Sequence, residues 1–270
     1  MAGPATIVFS HANGFPAGVY RRVFDTWRAA GWRVEAVEKY GHDPRWPVTS
    51  NWPHLRDQLL QFIHDRTDGP VVLVGHSLGG FLSLLAATRR PEIARAIVLL
   101  DSPVIHGWRA KMLQIGKATG VGERFSPGAV SKKRREHWPG RDAALAHFRS
   151  KPAFARWDPA VLEDYIDCGT EPADGGRRLA FHRDTETRIF NSLPHHLPRL
   201  LRTHPLRCPV AFVGGTQSEE LRRAGLGGTH PLVGDRFFWI EGSHLYPMEK
   251  PVETANLVLR ILSNMGAASG

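Results

Sequence analysis

The stretch Val71–Gly79, with the sequence Val-Val-Leu-Val-Gly-His-Ser-Leu-Gly, decides the fold of this chain. Its first four residues are apolar, three of them are β-branched, and they follow a Gly-Pro break, which is typical of a buried parallel strand. The next segment, Gly80–Ala87, is apolar and rich in helix formers, and it predicts a helix that ends near Arg89. We therefore expect a strand, a tight corner and a helix in direct succession.

The corner, Gly75–Gly79, fits the pattern G-x-S-x-G. Between a strand and a helix this pattern predicts a nucleophile elbow, in which the serine occupies the point of the turn with strained backbone angles. Gly75 and Gly79 are needed because a Cβ at either position would collide with the neighbouring strand or helix. The first N–H groups of the helix point toward negative charge that forms near Ser77. We interpret Ser77 as a catalytic nucleophile.

The composition is that of a globular chain that can bury a large core. It has 270 residues, of which 42% are hydrophobic, so one domain with an inserted subdomain is expected. The sequence contains no stretch of eighteen or more apolar residues, so it predicts no membrane span. The first residues do not resemble a signal peptide, and Cys168 and Cys208 do not suggest a disulfide framework. We expect a cytoplasmic protein that has no membrane partner.

The formal net charge of +9 raises the question of a nucleic-acid partner. The basic residues are mostly Arg and are spread along the chain. The densest run, Lys132–Arg135, is followed by Glu136 and Trp138, and no RNA- or DNA-binding motif accompanies it. We interpret the run as a solvated helix face and expect no nucleic-acid partner.

Apolar runs of strand length recur along the chain with helical segments between them, which predicts a parallel α/β sheet. The predicted strands are Ala5–Phe9, Trp32–Val37, Val71–Val74, Ala96–Leu100, Val210–Val213 and Phe237–Ile240. The predicted helices between and after them are Gly18–Ala30, Trp52–Asp65, Gly80–Arg89 and Pro251–Asn264. The alternation breaks between Ser102 and Pro205, where helices are predicted at Trp108–Gly116, Ala143–Arg149 and Pro159–Asp167. We interpret this stretch as an all-helical insertion between two core strands.

The chain resembles the α/β-hydrolases that carry a cap, from His11-Ala12-Asn13-Gly14 through the elbow to Gly242-Ser243-His244. Within that superfamily it is most similar to a poorly characterised bacterial group with the segment His-Ala-Asn-Gly-Phe-Pro, here residues 11–16. The resemblance implies a core of residues 1–103 and 205–270 and a helical cap of residues 104–204. The usual two opening strands are missing, so the sheet should have about six mostly parallel strands.

A serine hydroxyl needs a base, and in this superfamily the order along the chain is Ser, acid, His. The base follows the last strand. Phe237–Ile240 is the last predicted strand, and Glu241-Gly242-Ser243-His244 comes directly after it. The resemblance therefore implies that His244 is the general base.

The acid has more than one candidate. The family usually places Asp three residues after the glycine that ends its seventh strand, where this chain has Ser218. Glu219 and Glu220 follow, but a shift of one or two residues would redirect the side chain. The other position known in the superfamily, directly after the sixth strand, is occupied by Asp101. We favour Asp101, with Glu220 and then Glu219 as alternatives, and capping of its own loop is the structural alternative for Asp101.

An oxyanion hole needs two backbone N–H groups that point at the tetrahedral oxygen. The resemblance assigns these to Leu78, after the nucleophile, and to Asn13 in the loop after the first strand. His195-His196 lacks a carboxylate or Cys at ligand spacing, so we expect no metal and no cofactor.

Together these residues predict a cofactor-independent serine hydrolase that cleaves a carboxylic ester or a related small acyl substrate through an acyl-enzyme. A thioesterase, a lactonase or a C–C-bond hydrolase would use the same machinery, and a binding protein on this fold that no longer turns over is the alternative outside enzymes. The sequence indicates neither the physiological substrate nor the oligomeric state.

Overall fold

The computed structural model describes residues 5–107 and 127–267. The strands in these residues are β1 (Thr6–Ser10), β2 (Arg33–Ala36), β3 (Val71–His76), β4 (Ala94–Leu100), β5 (His137–Trp138), β6 (Thr170–Ala173), β7 (Gly176–Leu179), β8 (Val210–Gly215) and β9 (Phe237–Ile240). Six of them form one sheet in the order β2-β1-β3-β4-β8-β9, and every pair in it is parallel. The predicted six-stranded parallel sheet is confirmed.

The helices described are α1 (Arg21–Ala29), α2 (Pro53–Arg66), α3 (Leu78–Arg89), α4 (Pro127–Ser131), α5 (Arg141–Arg149), α6 (Pro159–Gly169), α7 (Arg183–Asn191), α8 (Leu197–Thr203), α9 (Glu219–Ala224), α10 (His230–Val233), α11 (Tyr246–Glu249) and α12 (Pro251–Asn264). Two short 3₁₀ helices, Ala17–Tyr20 and Pro91–Ile93, precede α1 and β4. None of the helices in residues 5–107 and 127–267 is long and apolar enough to cross a membrane.

The two faces of the sheet are covered by different helices, because successive side chains of a strand point to opposite faces. In β1, Ile7 and Phe9 join the hydrophobic cluster that contains α1 and α12, whereas Val8 joins the one that contains α2 and α3. The four central strands of the sheet, β1, β3, β4 and β8, are therefore buried on both sides. This is why the strands appear in the sequence as continuous apolar runs rather than as alternating ones.

Residues 104–204, which lie between β4 and β8 along the chain, are called the insertion below. It contains a three-stranded antiparallel sheet in the order β5-β7-β6 beside its helices, so the expectation that it is all-helical was incomplete. The turn between β6 and β7 is Asp174-Gly175, with Ala173 paired to Gly176 and a φ of 74° at Gly175. Of its predicted helices, α5 and α6 are present with slightly longer bounds. The predicted helix Trp108–Gly116 lies outside the described residues.

Candidate active site

Ser77 stands between the end of β3 and the start of α3, at the carboxyl edge of the sheet. Its backbone has φ 52° and ψ −113°, values that are strained for a residue with a side chain. A Cβ on Gly79 would collide with the carbonyl group of Ser10 at the end of β1, and one on Gly75 would collide with the backbone of Gly79. The two glycines of the motif are therefore required by close backbone contacts on both sides of the elbow.

His244 lies in the loop after β9, and its ring contacts a carboxylate at the end of β4. Nδ1 of His244 lies 2.6 Å from Oδ2 of Asp101. Because an ionised carboxylate only accepts hydrogen bonds, Nδ1 carries the proton and donates it to Asp101. In the neutral ring Nε2 is then the nitrogen that can accept a proton.

Burial lowers the pKa of His244, but the hydrogen bond and the charge of Asp101 outweigh it, so the pKa lies above its ordinary value of 6.5. The more distant charge of Glu220 acts in the same direction. The site therefore favours the imidazolium form, which is the form that a general base reaches after it accepts a proton.

Asp101 is itself held by groups from the neighbouring strand and loop. Its Oδ1 accepts a hydrogen bond from the backbone N–H of Gly215 at 2.8 Å, and its Oδ2 accepts one from Oγ of Ser218 at 2.5 Å. Asp101 is 1% exposed. Its carboxylate accepts hydrogen bonds from Gly215, Ser218 and His244, and these bonds fix its direction toward His244.

Ser218, at the position where the resemblance implies an acid, holds the carboxylate of Asp101 instead. Its Oγ donates to Asp101 and accepts the backbone N–H of Leu221 at 3.0 Å, which caps the N-terminus of α9. The alternatives Glu219 and Glu220 are both exposed on α9, where Glu219 pairs with Arg222. The structure brings Asp101 to His244, and it points the two glutamates to the surface.

The loop after β1 is brought to the elbow by strand pairing, since Ser10 is opposite Gly75 in the parallel register of β1 and β3. Leu78, the first residue of α3, is buried beside it. The side chain of Asn13 turns away toward the insertion, where its Nδ2 donates to the carbonyl of Glu186 at 2.9 Å. Asn13 is therefore anchored through its side chain, which leaves its backbone N–H as the group for the predicted oxyanion role.

His11 shapes the same loop and was not singled out by the sequence patterns. Its Nδ1 donates a hydrogen bond to the backbone carbonyl of Ala12 at 2.8 Å, and its Nε2 accepts one from the backbone N–H of Tyr40 at 3.0 Å. Burial lowers the pKa of His11 to about 4, so the ring stays neutral at pH 7. A neutral imidazole with one donor and one acceptor matches both of these bonds.

The insertion reaches the loop through a buried ion pair. Arg134 lies 2.5 Å from Glu186 and donates through its other terminal nitrogen to the hydroxyl of Tyr165 at 2.8 Å. A Cβ on Gly14 would lie 2.9 Å from the Glu186 carboxylate, and Gly14 has φ 86°. The ring of Phe15 contacts Tyr165 at a centroid distance of 5.8 Å. The loop is thus enclosed between the sheet and the insertion.

These contacts correct the interpretation of the run Lys132–Arg135 as a solvated helix face. The run follows the end of α4 rather than lying on a helix. Lys132, Lys133 and Arg135 are exposed, but the side chain of Arg134 turns inward and is only 19% exposed. A run of four basic residues does not indicate that one of them is paired with a buried carboxylate fifty-two residues later in the chain.

A cavity of about 760 Å³ lies elsewhere in the fold, at the amino end of β3, with Trp46, Gly69 and Pro70 in its lining. Because Ser77 follows the carboxyl end of β3, the length of the strand separates this cavity from the elbow. Within residues 5–107 and 127–267, no three His, Cys, Asp or Glu side chains are grouped as a metal site would require.

Residues 7–257 match the sequence model of the Alpha/beta hydrolase family, and the chain belongs to this family. The monoglyceride lipase of Rattus norvegicus is 33% identical over 111 residues, which are 38% of this chain and 36% of the lipase. The type I acyl-CoA thioesterase mpaH' of Penicillium brevicompactum is 25% identical over 175 residues, which are 58% of this chain and 38% of the thioesterase. The chain therefore spans well under two thirds of these relatives.

Two solved structures share the fold over nearly the whole chain. E-2-(acetamidomethylene)succinate hydrolase has a TM-score of 0.76 at 22% identity, over 97% of this chain and 92% of its own. The thioesterase domain from the curacin biosynthetic pathway has a TM-score of 0.73 at 20% identity, over 95% of this chain and 91% of its own. At these identities the two solved structures show the fold, and the family model shows the family.

Proposed function

We propose that this chain is a cofactor-independent serine hydrolase that cleaves a carboxylic ester or a related small acyl substrate through an acyl-enzyme. Its catalytic residues are Ser77, His244 and Asp101. The observation that carries the proposal is the 2.6 Å hydrogen bond between Nδ1 of His244 and Asp101, at the sheet edge where Ser77 occupies a strained elbow. Ser77, Asp101 and His244 then follow one another along the chain in the order of this family, which is nucleophile, acid and base.

In the first half of the reaction, Oγ of Ser77 attacks the carbonyl carbon while Nε2 of His244 accepts its proton. The backbone N–H groups of Leu78 and Asn13 hold the negative oxygen of the tetrahedral intermediate. The carbon–oxygen bond to the leaving group breaks, and His244 returns the proton to the departing alcohol. In the second half, water gives a proton to His244 and attacks the carbonyl carbon of the acyl-enzyme. The bond between that carbon and Oγ of Ser77 then breaks, His244 returns the proton to Oγ, and the acid is released.

Asp101 acts through His244 rather than on the substrate. Its hydrogen bond fixes the tautomer in which Nε2 is free to accept a proton. Its charge stabilises the imidazolium, in agreement with the raised pKa of His244. The donors Gly215 and Ser218 keep the carboxylate in this orientation throughout the cycle.

We further propose that residues 104–204 form a cap above this end of the sheet and that residues 1–103 and 205–270 form the core. The support is that Glu186 and Phe15, on either side of the boundary, are in contact with Asn13 and Tyr165 respectively. Motion of such a cap would control access to Ser77 and define the substrate. The segment His11–Pro16 supports the further proposal that the protein belongs to the bacterial group with that motif.

A thioester is the substrate that the comparisons favour as a second candidate, because both the acyl-CoA thioesterase mpaH' and the curacin thioesterase domain are similar to this chain. The proposed groups serve an ester and a thioester alike. The two substrates differ only in the leaving group, a thiol instead of an alcohol.

The test is covalent labelling with a fluorophosphonate, followed by peptide mass mapping. We expect a single adduct at Ser77 in the wild-type chain and none in Ser77→Ala. Turnover is then measured on nitrophenyl esters of increasing acyl length and on the matching acyl-thioesters. A wild-type chain that stays unlabelled, or that is labelled at another residue, contradicts the proposal.

A further inference from the structure

Two buried side chains outside the proposed triad connect three parts of the site. The hydroxyl of Tyr20, in the 3₁₀ helix before α1, lies 2.7 Å from Nδ1 of His76, the residue directly before the nucleophile. The same hydroxyl accepts the backbone N–H of Ala12 at 3.1 Å. On the other side, Nε2 of His76 lies 2.9 Å from the backbone carbonyl of His244. Tyr20 is 1% exposed and His76 is 0% exposed.

The direction of each hydrogen bond follows from the partners. Because Ala12 can only donate through its backbone N–H, the single hydroxyl hydrogen of Tyr20 is available for Nδ1 of His76. Nε2 of His76 must then carry the ring's proton, because a carbonyl oxygen can only accept. The chain runs from the N–H of Ala12 through Tyr20 and His76 to the carbonyl of His244, and each group in it is satisfied.

This arrangement requires a neutral His76. Burial, and to a lesser extent the neighbouring charge of His244, hold the pKa of His76 well below its ordinary value of 6.5. Burial also raises the pKa of Tyr20, so its hydroxyl keeps its hydrogen. The ring centroid of His76 lies 5.0 Å from that of His244, and its neutrality means that it does not oppose the imidazolium that forms there.

Each end of the chain of hydrogen bonds lies next to an atom of the proposed reaction. Ala12 precedes Asn13, whose N–H is assigned to the oxyanion, and His76 precedes Ser77. At the other end, the bonded carbonyl belongs to His244 itself. The loop after β1, the elbow and the loop after β9 are far apart in the sequence, and two side chains fix them relative to one another.

We propose that Tyr20 and His76 are positioning residues, which hold the oxyanion loop and the backbone of the general base in register with the nucleophile. The inference rests on the proposed function, since it concerns the alignment of the same groups. The hydrogen bonds of the two side chains go to each other and to backbone groups rather than to the reacting atoms. Their removal misplaces His244 and Asn13 by a fraction of an ångström, which lowers the rate of proton transfer and weakens the oxyanion contact without changing how substrate binds.

The experiment measures kcat and KM for Tyr20→Phe, His76→Leu and the double variant, on the best ester found for the wild-type chain. We expect kcat to fall by about tenfold to 10²-fold in each single variant, with KM within about twofold. The double variant should lose no more than the worse single variant, because either change breaks the same chain. His76→Gln, whose amide has both a donor and an acceptor, should recover part of the lost kcat.

Tyr40→Phe is the matched control. Its buried hydroxyl is bonded to Oγ of Ser10 at 2.7 Å and takes no part in the chain of bonds to His244. We expect it to lower Tm as much as Tyr20→Phe does and to leave kcat within about threefold. Equal loss of kcat in Tyr20→Phe and Tyr40→Phe would mean a structural role only, and so would overturn the inference.

Failure of the inference is distinct from failure of the proposed function. If the fluorophosphonate labels wild-type Ser77 and esters are turned over, but Tyr20→Phe keeps wild-type kcat or changes only KM, the inference is wrong while the proposed function stands. If the wild-type chain is neither labelled nor active, the proposed function fails first, and the inference with it. Tyr20→Phe decides the question where His76→Leu does not fold.

Discussion

Two buried carboxylates, one directly after the core strand β4 and one in the insertion, are held in different ways. Asp101 is bonded to Gly215, Ser218 and His244, which come from β8, the start of α9 and the loop after β9. Glu186 is paired with Arg134, which belongs to the same insertion, and burial raises the pKa of Glu186 against the opposing effect of that guanidinium. The core acid is therefore tied to several elements of the sheet, whereas the insertion acid depends on one partner.

The difference implies that core elements set the geometry of the proposed triad, whereas the pair of Arg134 and Glu186 sets how the insertion packs on the core. The insertion meets the loop after β1 through Glu186, whose carboxylate lies against Gly14 and whose backbone carbonyl accepts a bond from the side chain of Asn13. Changes around Asp101 should consequently affect the chemical step, and changes around Glu186 should mainly affect stability. The predictions below test this division.

The largest effect is expected from the groups that move the proton and attack the carbonyl. Ser77→Ala and His244→Ala should each lower kcat by roughly 10⁶-fold on an ester substrate, because the triad acts as a unit. The measurement is steady-state hydrolysis of the preferred ester, with circular dichroism as the control for folding. Activity within tenfold of wild type in either folded variant would remove the residue from the triad.

Asp101→Asn should come next, with a loss of about 10⁴-fold in kcat, because the amide no longer fixes the reactive tautomer of His244. Glu220→Gln and Glu219→Gln serve as matched controls on the exposed face of α9 and should stay within about twofold. The comparison is made under saturating substrate. If Glu220→Gln lowers kcat more than Asp101→Asn does, the catalytic acid is Glu220 on α9 rather than Asp101.

How far the sequence predicts this site differs from residue to residue. Ser77 follows from a local motif, and the resemblance places His244 after the last strand. The acid could not be decided, because it depends on which strand end lies beside His244 in space. The structure shows Asp101 in contact with His244 and Ser218 bonded to Asp101, a pairing across 117 residues that no local pattern displays. Tyr20 was missed for the same reason.

The fold shows the same division between core and insertion. The central strands β1, β3, β4 and β8 are buried on both faces, so their apolar runs predict them to within about two residues at each end. Strands β5, β6 and β7 are short and partly exposed, and β7 has the sequence Gly-Arg-Arg-Leu, which offers no apolar alternation. The available signal was Asp174-Gly175, a dipeptide that favours a two-residue hairpin turn.

The pH dependence of kcat/KM tests whether Asp101 stabilises the imidazolium of His244, because His244 must be neutral to accept a proton. Its pKa is raised above 6.5, so kcat/KM should fall about tenfold per pH unit below that raised pKa and level off above it. The midpoint is read from a buffer series at constant ionic strength. A midpoint below 6.5 would show that Asp101 does not stabilise the imidazolium.

The smallest effect on catalysis is expected from the insertion. Glu186→Gln leaves the buried guanidinium of Arg134 without its counter-charge and should lower the free energy of unfolding by roughly 3 kcal/mol, which is about 6–12 °C in Tm. We expect kcat to change by less than tenfold. Glu171→Gln, in the more exposed pair with Arg178, is the control and should shift Tm little. A Glu186→Gln variant with wild-type Tm and a kcat lower by 10²-fold would break the proposed division.

Asp101 also has a φ of 46°, in the region where Asp, Asn and Gly are tolerated and branched or bulky residues are not. The residue at position 101 thus has two requirements to meet. The turn after β4 requires a residue that tolerates a positive φ, and the proposed chemistry requires a carboxylate. Among substitutions at this position, Asn and Gly tolerate the positive φ of the turn but lack the carboxylate. A lineage of this protein that lost its activity but kept its fold would be expected to carry one of these two residues at position 101.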